Sequence, residues 1–341
     1  MRRSTTATVR AACFIFVLLL LAAGQTLLVT AASPRDVGGM IQMAQHQFDL
    51  GNYSSAIKTL QSAVSQNSAS AEAYYWLARS YYELRDYDNA VSQAEKAVAL
   101  DAKNSLYHQL LGRAYGGKAD RERSFFLAKK VKKELEESVR LNPSDIEARE
   151  DLEDFCMNAP WIVGGNKDEA RDQVDAIAAL DAVDGHVARG NFDLEGMKRP
   201  DLAENEFRQV LSAKPNRVEP YLEAIAFFQK QNDLPDMEAG IGAAEQSNAK
   251  DPRVTYFRAV AWVLAETEST RAEEYLKSYL ASTPERSNWP SHAAAREWLG
   301  RLYESQGKRA EAAEQYRASL QLEPGRKEAL SRLQKLEKAS P

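Results

Sequence analysis

From residue 37 onward, apolar residues recur at steps of three and four, the spacing that lines one face of an α-helix. The segment Tyr74-Tyr75-Trp76-Leu77-Ala78-Arg79-Ser80-Tyr81-Tyr82 is followed by Asp86-Tyr87 and then by Ala90, Ala94, Ala97 and Leu100. The same order returns elsewhere. Gly51-Asn52-Tyr53 precedes Ala56, Leu60 and Ala63, and Leu111-Gly112 with Tyr115 begins another copy. Near the other end, Trp298-Leu299-Gly300-Arg301-Leu302-Tyr303 precedes Gly307, Ala312, Tyr316, Ser319, Leu322 and Pro324. Ala56 to Ala90 and Ala63 to Ala97 are each 34 positions apart, so the chain reads as a tandem array with that period.

Each period predicts two short antiparallel helices. Small residues (Ala78, Gly112 and Gly300 on first helices; Ala56, Ala90 and Ala312 on second helices) allow close approach, while Leu77, Tyr81, Leu299 and Tyr303 fill the space between. Asn142-Pro143, Lys214-Pro215, Thr283-Pro284 and Glu323-Pro324 mark the ends of second helices, because proline cannot continue a helix. One helix pair cannot bury its apolar face alone. The units are therefore expected to stack around one continuous core as an all-α solenoid.

This pattern resembles the tetratricopeptide repeat family. The resemblance implies a right-handed α-solenoid of about eight units, at 37–70, 71–104, 105–145, 146–183, 184–217, 218–252, 253–286 and 293–326. The pattern is fullest in 71–104 and 293–326. In 146–183, 218–252 and 253–286 it thins to Ala170, Met237 and Ala272 at the tight helix contact. Residues 327–338 read as a capping helix with Leu330, Leu333 and Leu336 turned to the last unit. Leu111-Gly112-Arg113-Ala114-Tyr115-Gly116 and Ala159-Pro160-Trp161-Ile162-Val163-Gly164-Gly165 further resemble an uncharacterised group of exported bacterial proteins of this class, which implies an envelope location and no activity.

Two units break step. Tyr115 to Val131 spans 16 positions where Tyr81 to Ala90 spans 9. The seven extra residues are about two helical turns, so Lys118 to Val139 is expected to be one long helix overhanging the array. It carries Phe125 and Phe126, followed by Lys129, Lys130, Lys132 and Lys133. In the fourth unit Cys156 to Ala170 spans 14 positions, and the surplus with Pro160, Gly164 and Gly165 predicts a loop. Trp161, Ile162 and Val163 make that loop unusually apolar. Either Trp161 and Ile162 cover Phe125 and Phe126 in a satellite core, or the four form an exposed docking edge.

The N-terminus changes the picture of where the array works. Arg2, Arg3 and Arg10 precede a run without charge from Ala11 to Ser33, whose centre is strongly apolar. Residues 1–32 are expected to be a signal peptide ending at Val29, Ala31 and Ala32, or an uncleaved anchor. Either leaves 33–341 outside the cytoplasm, periplasmic or secreted, or tethered to the inner membrane by residues 11–32. The formal net charge of the 341 residues is −5, and losing the three arginines leaves about −8. That balance excludes charge-driven binding to nucleic acid and to anionic lipid, so membrane contact is expected only through the N-terminal segment. Cys13 lies in that segment without a lipoprotein signal, which leaves Cys156 with no partner for a disulfide.

Candidate catalytic chemistry is sparse. His46, His108, His186 and His292 lack metal-ligand spacing, and Gly164-Gly165 lacks a phosphate-binding pattern. Asp181 and Asp184 miss the glutamate that a calcium loop needs. No cofactor or metal is implied. The family resemblance places one face of each first helix on an inner groove. Carried over residue by residue, it gives Tyr75, Arg79 and Tyr82 in the second unit and Gln109 and Arg113 in the third. It gives Glu147, Glu150 and Asp154 in the fourth, and Glu297, Arg301 and Glu304 in the last. The change of sign from Arg79 and Arg113 to Glu150 and Asp154 would orient a dipolar ligand. The Lys and Asn clamp of cytosolic chaperone-binding members is replaced by Ile41, Gln45, Trp76, Leu106 and Leu110. The expected function is thus a non-catalytic scaffold or adaptor for a protein or peptide partner. The alternatives are an all-α enzyme or small-ligand binder with its site at the acidic groove, and an envelope protein that self-assembles through Phe125 and Trp161. The oligomeric state is left open.

Overall fold

A computed structural model describes residues 37–338. The leader or anchor expected at 1–32 lies outside the described residues. Among those described, there are seventeen α-helices and no strand. They form eight antiparallel pairs and one closing helix. The pairs are α1 (Val37–Asp49) with α2 (Tyr53–Gln66), α3 (Ala71–Glu83) with α4 (Tyr87–Leu100), α5 (Ser105–Glu122) with α6 (Phe125–Leu141), and α7 (Ile146–Asn158) with α8 (Lys167–Leu180). Then come α9 (Ala182–Asn191) with α10 (Pro200–Ala213), α11 (Glu219–Gln231) with α12 (Leu234–Asn248), α13 (Pro252–Leu264) with α14 (Ser269–Ser282), and α15 (His292–Ser305) with α16 (Arg309–Leu322). The closing helix is α17 (Lys327–Lys338).

The small residues do what their spacing requires. Ala56, Ala78, Ala90 and Ala312 lose all their accessible surface at helix crossings, as do Ala170, Met237 and Ala272 in the units with the thinnest pattern. Side-chain caps start many helices. Ser70, Asp86, Asn104, Asp145, Asn166 and Asp181 each accept a backbone N–H from the first turn, satisfying donors that the helix itself leaves open. Within units, the turn between helices takes a left-handed residue at Gly51, Arg85, Arg123, Lys198, Asn232, Glu266 and Gly307. Only two of these seven are glycine. The others hold a conformation that costs an L-residue roughly 1–2 kcal/mol, so the packing of the two helices enforces the turn.

The third unit differs from expectation. Lys118 to Val139 is not one helix: Arg123 turns left-handed, and Ser124 caps a new helix by accepting from Leu127 N. The seven extra residues divide between the two partners, giving α5 18 residues and α6 17. Extending both partners keeps their facing surfaces in contact, whereas extending one would leave an overhang unpaired.

The array returns on itself. The segment between α14 and α15 reaches the first two units. Tyr53 donates its hydroxyl to the Glu285 carbonyl at 2.7 Å, Arg286 donates to the Asp49 carbonyl at 2.8 Å, and Ser287 N donates to Glu83 at 3.0 Å. Gly51, at φ +73°, lies against Pro284, and a Cβ there would come within 2.3 Å of the proline ring. Gly51→Val therefore meets both a backbone and a steric penalty, on the order of 1–3 kcal/mol. We expect it to enlarge the radius of gyration in X-ray scattering and lower Tm by several degrees with helix content unchanged. An unchanged radius would show that the contact does not hold the ends together.

Candidate functional site

The first helices place a strip of polar and aromatic side chains along the array. At its N-terminal end Tyr75 on α3 lies 5.2 Å from the Tyr107 ring of α5 and 5.6 Å from Trp76. Arg79 stacks over Trp76 at 4.7 Å and over Phe48 at 4.9 Å, joining the first two units by cation–π contacts. Tyr82 is half-buried against Tyr87, and burial pushes its hydroxyl up to about 12.

The next side chains are committed to the fold. Gln109 is buried and donates to Asp151 at 2.8 Å. Arg113 donates to Asp151 and to Glu147, each at 2.7 Å. Burial works to lower the Arg113 pKa, but the two carboxylates carry it above its ordinary value. The guanidinium is thus charged and paired with two carboxylates through Nε and one Nη, tying α5 to α7. Its charge is answered within the fold, and with it half of the expected sign change is lost. In the last unit Glu297 is buried on Arg326, Arg301 stacks over Trp298, and Glu304 accepts from Tyr316 and Arg332.

Beyond Arg113 the wall turns acidic. Glu150 and Asp154 on α7 are exposed, but protein closes around them from neighbouring units. Loss of surrounding water comes first among the causes that raise Glu150 to about 7, followed by Asp184, Glu223, Asp151 and Glu147. Asp154 is raised by the same loss of water and by Glu195 and Asp120. Three acids that the sequence reading did not select, Glu153, Glu195 and Glu223, complete the group. Glu153, one residue from the expected groove face, is only 6% exposed, and burial with Asp154, Glu150 and Glu195 pushes it up to about 8. Glu195 lies on a π-helical turn, Phe192–Gly196, that continues α9 and packs against α7. A wide turn shifts the facing of the residues that follow, so the repeat register could not have placed Glu195. Glu223 on α11 is raised by loss of water and by Glu195, against Lys230 and Arg253. Among the described residues no group of His, Cys, Asp and Glu is arranged to hold a metal ion.

The apolar edge is exposed. Phe125 and Phe126 open α6 at 64% and 70% exposure, while Trp161 and Ile162 reach 84% and 55%. The loop does form, as a short 3-10 turn over Trp161–Val163. It seats on α6 through buried Val163 and through Lys132, which donates to the Gly164 carbonyl at 3.0 Å. Lys132 is seven residues past Phe125, roughly 10 Å along the helix, so the turn does not cover the phenylalanines. The satellite-core reading is corrected accordingly. Three of the four histidines are structural: His108 contacts Glu134 at 2.7 Å, His186 contacts Glu206 at 2.7 Å, and His292 contacts the Thr283 carbonyl at 2.9 Å; His46 is exposed. Burial raises the Cys156 thiol to about 12, so it is not a nucleophile at neutral pH.

With this geometry in place, the chain can be set beside known proteins. The family model for the tetratricopeptide repeat matches residues 41–105 and 263–327. Among solved structures, the chain is similar to TTC0263, a thermophilic tetratricopeptide protein of Thermus thermophilus. The identity is 20%, over 56% of this chain and 98% of that one, with a TM-score of 0.46. It is also similar to the Cut9–Hcn1 hetero-tetramer of the APC/C, at 12% identity over 87% of this chain and 55% of that one, with a TM-score of 0.50. A third, YrrB, is described as having an unusual peptide-binding site and is 18% identical over 63% of this chain and 88% of that one, with a TM-score of 0.35. No curated protein resembles the chain in sequence at a significant level.

The acidic wall has a measurable signature. A folded pKa of about 8 at Glu153, against an ordinary 4.5, means its contribution to stability is complete below pH 4.5 and is lost as pH rises through 8. Glu153→Gln is expected to leave Tm unchanged near pH 4 and to raise it at pH 9, by on the order of 2 kcal/mol of stability. Melting followed by circular dichroism checks this; a lower Tm at pH 9 would mean the ionised carboxylate is stabilising.

Proposed function

We propose that the chain, whose residues 41–105 and 263–327 match the tetratricopeptide repeat, is a non-catalytic scaffold that works outside the cytoplasm and holds a partner protein in its inner groove. The observation that carries this reading is the set of groove side chains the fold leaves unused. Glu150, Glu195 and Glu223 have no hydrogen bond or ion pair among the described residues, whereas nearby Glu147, Asp151 and Asp184 are all taken by arginine. A wall that served only the fold would have no reason to gather unpaired like charges, which destabilise it. A protein partner accommodates such a surface with complementary groups of its own. The outside location is supported by the positive start and uncharged apolar run of residues 1–32. Among the described residues, no helix is long and apolar enough to cross a membrane.

A second reading has its own support. The raised Glu150 and Glu153 carboxyls suit an acid or base at neutral pH, which an all-α enzyme at this wall would use. The scaffold reading is preferred because His108, His186, His292 and Cys156 are each committed elsewhere and supply no reacting partner. The exposed Phe125, Phe126, Trp161 and Ile162 support a docking edge, including one that joins copies of this chain.

Site-specific photo-crosslinkers separate these uses. One placed at Glu223 in the groove is expected to yield adducts with another protein, while one at Lys96 on a second helix yields none. Equal labelling from both positions sinks the groove reading. An adduct from Trp161 containing only a second copy of this chain would assign the edge to self-association. For location, residues 1–32 fused to a reporter that is active only outside the cytoplasm should give full activity; a reporter that stays inactive would overturn export.

A further inference from the structure

The central groove carries negative charge that the fold does not answer. Glu150 and Glu153 come from α7, Glu195 from the π turn that continues α9, and Glu223 from α11. None of these four takes part in an ion pair or hydrogen bond among the described residues. The nearby arginines are occupied: Arg113 by Asp151 and Glu147, Arg217 by Asp184 and Asp181, Arg253 by Asp251 and Glu219; Lys230 acts on Glu223 alone and only partly offsets the raised carboxyl there. Glu153 adds an independent observation. It retains only 6% exposure, more than nine-tenths buried, and its Oε1 is sealed from solvent without any donor. Buried carboxylate oxygens are normally hydrogen-bonded, so this one marks a place where a donor is missing.

We propose that this stretch of the groove binds a lysine- and arginine-rich segment of a partner polypeptide, whose ammonium and guanidinium groups supply the donors that Glu150, Glu153, Glu195 and Glu223 lack. The proposal rests on the groove reading above and gives it a chemistry. Mutual repulsion and loss of water, visible in the raised Glu150 and Glu153 carboxyls, are relieved when a cation arrives. Three features select a polypeptide over a single ion. No metal-holding group is present among the described residues. The acids are spread over three successive first-helix positions, on α7, the turn that continues α9, and α11. An extended chain, at roughly 3.3 Å per residue, can place successive cations along that run. Guanidinium groups also fit carboxylates in pairs of parallel hydrogen bonds, which favours arginine among the anchors.

The test uses the full chain and reads binding by fluorescence anisotropy. The probe is a labelled twelve-residue peptide of alternating arginine and alanine, with an alternating glutamate and alanine peptide as control. The expected result is saturable binding of the basic peptide, none of the acidic one, and a loss of at least tenfold in affinity for the Glu150→Gln, Glu223→Gln double variant. Both positions are exposed and the substitutions relieve like-charge repulsion, so the variant should melt no lower than the parent. Glu153→Gln tests the buried oxygen and should weaken binding by several fold. The charge-reversed Glu150→Lys, Glu223→Lys variant should exchange preference and take the acidic peptide. No binding of the basic peptide, or equal binding by the folded double variant, overturns the proposal. If the Glu223 crosslinker still captures a protein while the basic peptide does not bind, the groove reading survives and only its cationic chemistry fails. If both fail, the groove reading falls with it.

Discussion

The fold depends on a shared apolar face. Each helix pair buries one side against the pair before it and the other against the pair after it, so no unit owns a complete core. Tyr221, Ile225 and Phe228 on α11 and Met237 and Ile241 on α12 lie in the same cluster as Phe207 from the unit before and Val254 from the unit after. Stability is therefore a sum of neighbour contacts, and the ends must be treated specially. Leu333 and Leu336 of α17 cover the last pair. At the other end, the segment between α14 and α15 lies against Gly51 and Tyr53, so the first pair gains contacts from a unit far away in the chain.

This sharing leaves one set of side chains free for other work. The first helices must use their flanks for packing, and the remaining face becomes the wall of a groove. Near Arg113 that wall is consumed by interactions that couple α5 to α7. At Glu150, Glu195 and Glu223 it is not, and the protein there carries unpaired charge in a partly dehydrated place. Such an arrangement weakens the free chain slightly, a loss that a partner of complementary charge, as proposed above, would recover. The two insertions follow the same logic. They lengthen or interrupt elements only at the within-unit turn, where they lie against the adjacent unit and expose Phe126 and Trp161.

Much of this was legible beforehand. The 34-residue spacing of small residues set the number of helix pairs and the closing helix, because helix approach depends on side-chain size, which is written locally. Glu147, Glu150 and Asp154 were assigned to one wall only through the family resemblance. Several features were not legible. The break at Arg123 and Ser124 needed the left-handed turn that packing forces on a residue with no special preference for it. Glu153 and Glu195 needed, respectively, a neighbour to bury against and a π turn to change facing.

The amino-acid sequence by itself determined the all-α repeat architecture and the acidic character of the middle units, since both follow from the order of residue types within one period. Only the tertiary structure decided which charges are spent and which are free. Arg113 meets Asp151 and Glu147 across a unit boundary, while Glu153 finds no donor at all. It also decided that the seventh–eighth connection touches the first two units, a contact over 200 residues apart in sequence. The small rotation from each unit to the next is set by side-chain packing, and its sum over many units is what brings distant residues together.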